Sequence, residues 1–149
     1  MASTKELWLL IVLTLAVLGW SLVNPHDGVT WLLEAAPVLM GLPLLVTTYR
    51  LFPLTRLSYY LLFFHGVILV VGAHYTYARV PVGFWVADWL DLSRNHYDRF
   101  AHLAQGFVPA LIAREILIRK DVVNGKAWLN FFIVCAISSR LVRVSVRSA

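Results

Sequence analysis

The sequence predicts an all-α, polytopic transmembrane helical bundle with about five hydrophobic segments, and three observations carry that reading. The chain has 149 residues, of which 60% are hydrophobic and only 14% charged, against roughly 25% charged residues in soluble domains. Its polar residues are therefore too few to clothe a soluble fold, and mean hydropathy is +0.73. The apolar residues also fall into runs that approach the roughly 20 needed to cross the hydrocarbon core of a bilayer. Finally, Lys and Arg alternate between the ends of successive runs, as the topology rule for membrane proteins requires. High apolar content with low charge excludes disorder. The single cysteine, Cys135, sits in an apolar run and excludes a disulfide scaffold or a cysteine zinc site. In so apolar a chain the net charge of +5 reads as cytoplasmic-side Lys and Arg, with no nucleic-acid partner.

The first expected span covers residues 7–23, uncharged and preceded by Lys5. Leu22-Val23-Asn24-Pro25 is a poor processing site, so the run reads as a retained helix and not a cleaved signal. The second covers residues 28–49 and holds Glu34, Pro37 and Pro43; prolines are tolerated where neighbouring helices re-satisfy the freed carbonyls. Glu34 is expected near an interface. The third covers residues 57–78 and contains His65, expected as a packed, hydrogen-bonded residue. Residues 79–99 follow, with Phe84 to Leu90 resembling an aromatic interfacial segment. The fourth span covers residues 100–118, where Pro109 is expected to kink the helix and Arg114 and Glu115 read as a snorkelling base and a paired acid. The fifth covers residues 127–139 and is too short to span unaided. Trp8, Trp20, Trp31 and Trp128 are expected in the interfacial belt. The whole of residues 1–149 reads as a single membrane domain ending in a basic tail, residues 140–149.

Orientation follows from the basic residues. Lys5, then Arg50 and Arg56, then Arg119, Lys120 and Lys126 fall on one side, which places the N-terminus in the cytoplasm. Residues 24–27 and residues 79–99 then face outward. The latter segment balances three Arg against three Asp. Arg140, Arg143 and Arg147 in the tail break the alternation.

The densest polar chemistry lies between Ser93 and Gly106. If this stretch is helical, Arg94, Asp98, His102 and Gln105 share one face. Asn95 and Arg99 belong to the same cluster, and His74, Tyr75 and Tyr77 end the preceding span on the same side. Asp98 and His102 are the candidate ligands of a divalent metal, since carboxylate and imidazole suit Zn, Mn or Fe. Catalytic zinc usually takes three protein ligands, and only two are in register here. Glu115 lies further along and forms a separate polar feature. The same residues also make an ordinary Asp98–Arg94 ion pair among lipid headgroups. Both readings stand at the level of sequence. No phosphate-binding glycine loop with its lysine, Gly-x-Ser-x-Gly elbow or His-Glu-x-x-His is present. The spacing of Ser93, Arg94, His96 and Asp98 does not fit a lipid-phosphatase signature.

Two long stretches, Gly72-Ala73-His74-Tyr75-Thr76-Tyr77-Ala78-Arg79-Val80-Pro81-Val82-Gly83-Phe84-Trp85 and Ser93-Arg94-Asn95-His96-Tyr97-Asp98-Arg99-Phe100-Ala101-His102, are followed by Gln105-Gly106-Phe107-Val108-Pro109 and Arg114-Glu115. In these the chain resembles the YjdF-like bacterial inner-membrane proteins, a family without an established function, up to about Ser139. The resemblance implies a bundle of roughly six helices in the bacterial inner (cytoplasmic) membrane with a polar site at one face, and no particular reaction. Relatives of this kind continue after the fifth helix with a Ser-Ala-x-Tyr-Glu stretch and a further helix. Here Ser138-Ser139 is followed by Arg140-Leu141-Val142-Arg143. The codons CGC-CTG-GTA-CGA-GTN for Arg140 to Val144, read without their first base, begin GCC-TGG-TAC-GAG and give Ala-Trp-Tyr-Glu, so residues 140–149 are expected to be the product of a one-base frameshift.

The function expected from these residues is an outward-facing polar site that binds an ion, a metal or a lipid headgroup, with membrane lipid as partner. A membrane-embedded enzyme using a metal or Asp/His acid–base chemistry on a lipid-like substrate is the alternative. A structural partner in a membrane complex is the third. Oligomeric state is left open.

Overall fold

The computed structural model describes residues 3–120. Among them the regular elements are helical: α1 Thr4–Ser21, α2 Gly28–Thr48, α3 Arg56–Tyr75, α4 Pro81–Trp89 and α5 Tyr97–Arg119, with a 3-10 turn, Tyr77–Arg79, between α3 and α4. Helices α1, α2, α3 and α5 are each long and apolar enough to cross a membrane. The expected fifth span, Trp128 and the basic tail lie outside the described residues. The chain divides into two compact units, residues 1–101 and residues 102–149.

Each of the first three helices begins where a side chain can take an orphan backbone N–H. Ser3 Oγ accepts from the Glu6 amide at 3.2 Å while Glu6 Oε2 accepts from the Ser3 amide at 3.0 Å. This reciprocal pair starts α1 three residues before the apolar run itself. Asp27 accepts from the Thr30 amide at 3.0 Å and from the Thr30 hydroxyl, and starts α2. Those two bonds hold the Asp27 carboxyl below its ordinary range. Thr55 caps α3, accepting from the Ser58 amide at 3.4 Å.

The third helix stops at Tyr75, short of the expected Ala78, and local geometry explains why. Thr76 takes φ 60°, in the left-handed region that a β-branched residue rarely adopts. Val80 precedes a proline and is held extended at φ −63°, ψ 121°. Pro81 then opens α4 at a position where its missing N–H costs nothing. The aromatic stretch expected at an interface is thus a helix of nine residues, too short to cross. It buries Gly83 and Ala87 and leaves Trp85 69% and Trp89 84% exposed. Helix α5 runs without interruption through Pro109.

Helix α3 packs against both α1 and α2. The buried cluster consists of Leu18 from α1, Trp31, Ala35 and Val38 from α2, and Leu69, Val70 and Ala73 from α3, with Val17 and Tyr77 packed on it. Trp31 corrects an expectation. It is 7% exposed, not interfacial, and its indole N–H donates to Ser21 Oγ at 3.1 Å. Ser21 in turn donates to the Leu18 carbonyl at 2.8 Å. A buried tryptophan needs a partner for its N–H, and Ser21 supplies it. Trp8, by contrast, is 63% exposed.

Candidate functional site

The polar residues gather where α1 ends, α2 begins and α3 ends. The chain reversal after α3 is fixed by two glycines whose missing side chains are occupied by other residues. The Tyr77 ring lies against Gly72, where a Cβ would stand 2.2 Å from a ring carbon. The Asn95 amide lies against Gly83, where a Cβ would stand 1.9 Å from Oδ1. Asn95 then ties two stretches of backbone together. Its Nδ2 donates to the carbonyls of Ala78 at 3.2 Å and Val80 at 3.0 Å, and its Oδ1 accepts from the Tyr97 amide at 2.8 Å. Asn95 therefore closes the turn that starts α5.

Arg94 consequently precedes the helix and does not lie on its face. The expectation that Arg94, Asp98, His102 and Gln105 form one helical stripe is corrected for Arg94, because Asn95 spends its side chain on backbone outside the helix. What Arg94 does join is a recess of about 560 Å³ lined by Ala78, Phe84, Ser93, Asn95, Asp98 and Arg99. Arg94 and Arg99 are exposed and make no hydrogen bond or ion pair among the described residues. Asp98 and Asn95 are half-buried.

The other expected site residues make contacts of their own. Tyr77 stacks at 6.3 Å between ring centroids on Tyr97, whose hydroxyl donates to the Ile68 carbonyl at 3.0 Å. Burial pushes the Tyr77 phenol well above its ordinary range, and the nearby Glu34, Tyr97 and Asp98 push it further, so it stays protonated. His74 and Tyr75 turn the other way. His74 Nδ1 donates to the Ser21 carbonyl at 3.0 Å, and its ring lies 4.5 Å from those of Trp20 and Tyr75. They clasp α3 to α1 and do not line the recess. On the second unit, His102 Nδ1 donates to Gln105 Oε1 at 3.0 Å, one turn on. Glu115 pairs with Arg119 at 2.8 Å, as an ordinary helical ion pair.

Three features depart from the sequence reading or add to it. Glu34, expected near an interface, faces the bundle. It lies on the same inward helical face as Trp31, Ala35 and Val38, with one carboxylate oxygen fully buried and near Tyr77. Its spacing from those three residues was the available signal. Arg79 donates to His26 Nε2, joining the α1–α2 loop to the 3-10 turn, and the His26 amide donates to the His74 carbonyl at 3.0 Å. His65, expected as a packed, hydrogen-bonded residue, is corrected at one atom: its Nδ1 is buried without a hydrogen-bond partner among the described residues.

Fold and site together define a multi-pass α-helical membrane protein with a polar recess at one end of its helices. The chain belongs to the family described as "Predicted membrane protein (DUF2238)", whose model matches residues 6–140. It is also similar to "Inner membrane protein YjdF" of Escherichia coli (strain K12), 50% identical over 125 residues, which is 84% of this chain. The match spans 59% of the length of that relative. No solved structure matches the chain.

Proposed function

We propose that this is a multi-pass inner-membrane protein whose recess binds a phosphate-bearing group, foremost a lipid headgroup. The observation that carries the reading is the pair of exposed guanidinium groups, Arg94 and Arg99, on one recess of about 560 Å³. Guanidinium presents paired N–H donors that match phosphate oxygens. Asp98 on the same wall supplies an acceptor for an ammonium group, which suits a phosphoethanolamine headgroup. Exposed Trp85 and Trp89 on α4 hold the recess at headgroup depth. The inner-membrane location rests on the name of the relative. The distribution of Lys5, Arg50 and Arg56 supports a cytoplasmic N-terminus, so the recess faces the opposite side.

The metal and acid–base enzyme readings rest on Asp98 and His102. No group of three His, Cys, Asp or Glu side chains gathers among the described residues, so the guanidinium pair is the better guide. The test is binding of short-chain phosphatidylethanolamine and, separately, of inorganic phosphate to purified protein in mild detergent. The variants are Arg94→Gln and Arg99→Gln. Each charge-assisted contact contributes about 1.5–3 kcal/mol, so each variant is expected to lose about tenfold or more in lipid affinity. Wild-type protein that binds inorganic phosphate as tightly as the lipid points to free phosphate as the natural ligand. Unchanged lipid binding by the double variant refutes the reading.

A further inference from the structure

A second cavity, of about 580 Å³, opens among α1, α2 and α3 at the end of the bundle away from the recess. Its walls are mostly apolar, with Leu10, Ile11, Leu42, Leu45 and Leu62 facing it, and His65 is among the few polar residues that line it. On α1 it runs from Thr4 to Thr14 and on α3 from Tyr59 to Leu69. Ten residues of helix rise about 15 Å, which is half of the roughly 30 Å hydrocarbon core. The groove is therefore about as long as one leaflet is thick.

Its two glycines show where it closes and where it is open. At Gly66 a Cβ would touch Val38 at 3.8 Å, so α2 and α3 meet there. At Gly41 a Cβ would find nothing within 4 Å. At the membrane-surface end stands Arg50, exposed and without an ion pair among the described residues. Arg56 at the same end is already paired with Glu6, and Lys5 lies beside it in sequence. The charge left over at this mouth is positive.

We infer that this groove seats one acyl chain of an anionic phospholipid, with its phosphate at Arg50. An unfilled cleft would forfeit dispersion contacts along its whole lining. An acyl chain supplies them at the right length, and the unmatched cation selects a negatively charged headgroup. The site is separate from the recess at the other end, and the inference holds or falls independently of the function proposed there.

Native mass spectrometry of the full chain, extracted in mild detergent and titrated with phosphatidylglycerol or phosphatidylethanolamine, tests it. Wild type is expected to retain phosphatidylglycerol in preference. Arg50→Gln is expected to cut that preference about fivefold, the equivalent of about 1 kcal/mol for one basic residue at the surface. Gly41→Phe is expected to fill the open groove and cut retention of both lipids, without loss of thermal stability. Replacing a helical glycine whose Cβ would meet open space favours the helix. Three results would overturn the inference. One is no retained lipid in wild type. Another is equal retention in Gly41→Phe. The third is a Gly41→Phe variant that loses self-association or stability, which would make a protein segment the occupant.

Discussion

Replacing Gly83 with alanine should change sign in its effect depending on what stands at position 95. In the native chain the new Cβ would lie 1.9 Å from Asn95 Oδ1, so the amide must leave. It would give up its bonds to the Ala78 and Val80 carbonyls and the Tyr97 amide. At about 1 kcal/mol per net hydrogen bond, less for the solvent-exposed one to Ala78, the loss is about 2 kcal/mol. Exchanging glycine for alanine inside a helix returns about 0.5–1 kcal/mol. Gly83→Ala alone is therefore expected to destabilise by about 1 kcal/mol, a fall in melting temperature of about 2–4 °C. In an Asn95→Ala background the clash and the bonds are both gone. Gly83→Ala there is expected to raise the melting temperature. The coupling of about 2 kcal/mol far exceeds the scatter of about 0.3–0.5 kcal/mol for independent sites. Thermal unfolding of the four proteins in one detergent, followed by circular dichroism, measures it. Additive shifts, or an Asn95→Ala protein that melts with wild type, would refute the argument that Asn95 closes this turn.

Four further outcomes are expected. Gly72→Ala would place a Cβ 2.2 Å from the Tyr77 ring and should cost about 1–3 kcal/mol, as overpacking does; an unchanged melting temperature would mean that the ring moves freely. Trp31→Phe removes the indole donor to Ser21 and should cost about 1 kcal/mol or more, whereas Trp8→Phe on the exposed face should leave thermal unfolding unchanged. Asp27 has a lowered pKa in the folded chain, so its contribution is present above the unfolded pKa and is lost as pH falls through the folded one; Asp27→Asn, which still caps, should remove that part of the acid dependence of melting. Finally, the frameshift reading of residues 140–149 requires the codons CGC-CTG-GTA-CGA for Arg140 to Arg143, and sequencing of the gene decides it. A frame-restored protein is expected to melt higher than this chain in detergent, and equal melting would count against a stabilising role for the restored segment.

The apolar runs were enough to place α1, α2, α3 and α5, because membrane spanning depends on the length and hydropathy of a segment, both of which are local properties. The caps at Ser3, Asp27 and Thr55 were equally available, since each acts within three residues. The candidate site was legible only in part. Arg94, Asn95, Asp98 and Arg99 do share one recess, but His74 and Tyr75 do not enter it. Their direction is set by Ser21 and Trp20 on another helix. Glu34 was placed by its distance from the helix start when its face was the deciding quantity.

The amino-acid sequence by itself determined that the chain is helical and oily, and where its helices cross. It also determined that its charges collect between residues 94 and 102. Only the tertiary structure decided which of those charges look into a common space. Two glycines admit the Tyr77 ring and the Asn95 amide at distances that no other residue allows, and Trp31 turns inward to a serine ten residues away. Such contacts join residues distant along the chain, and hydropathy and spacing carry no record of them.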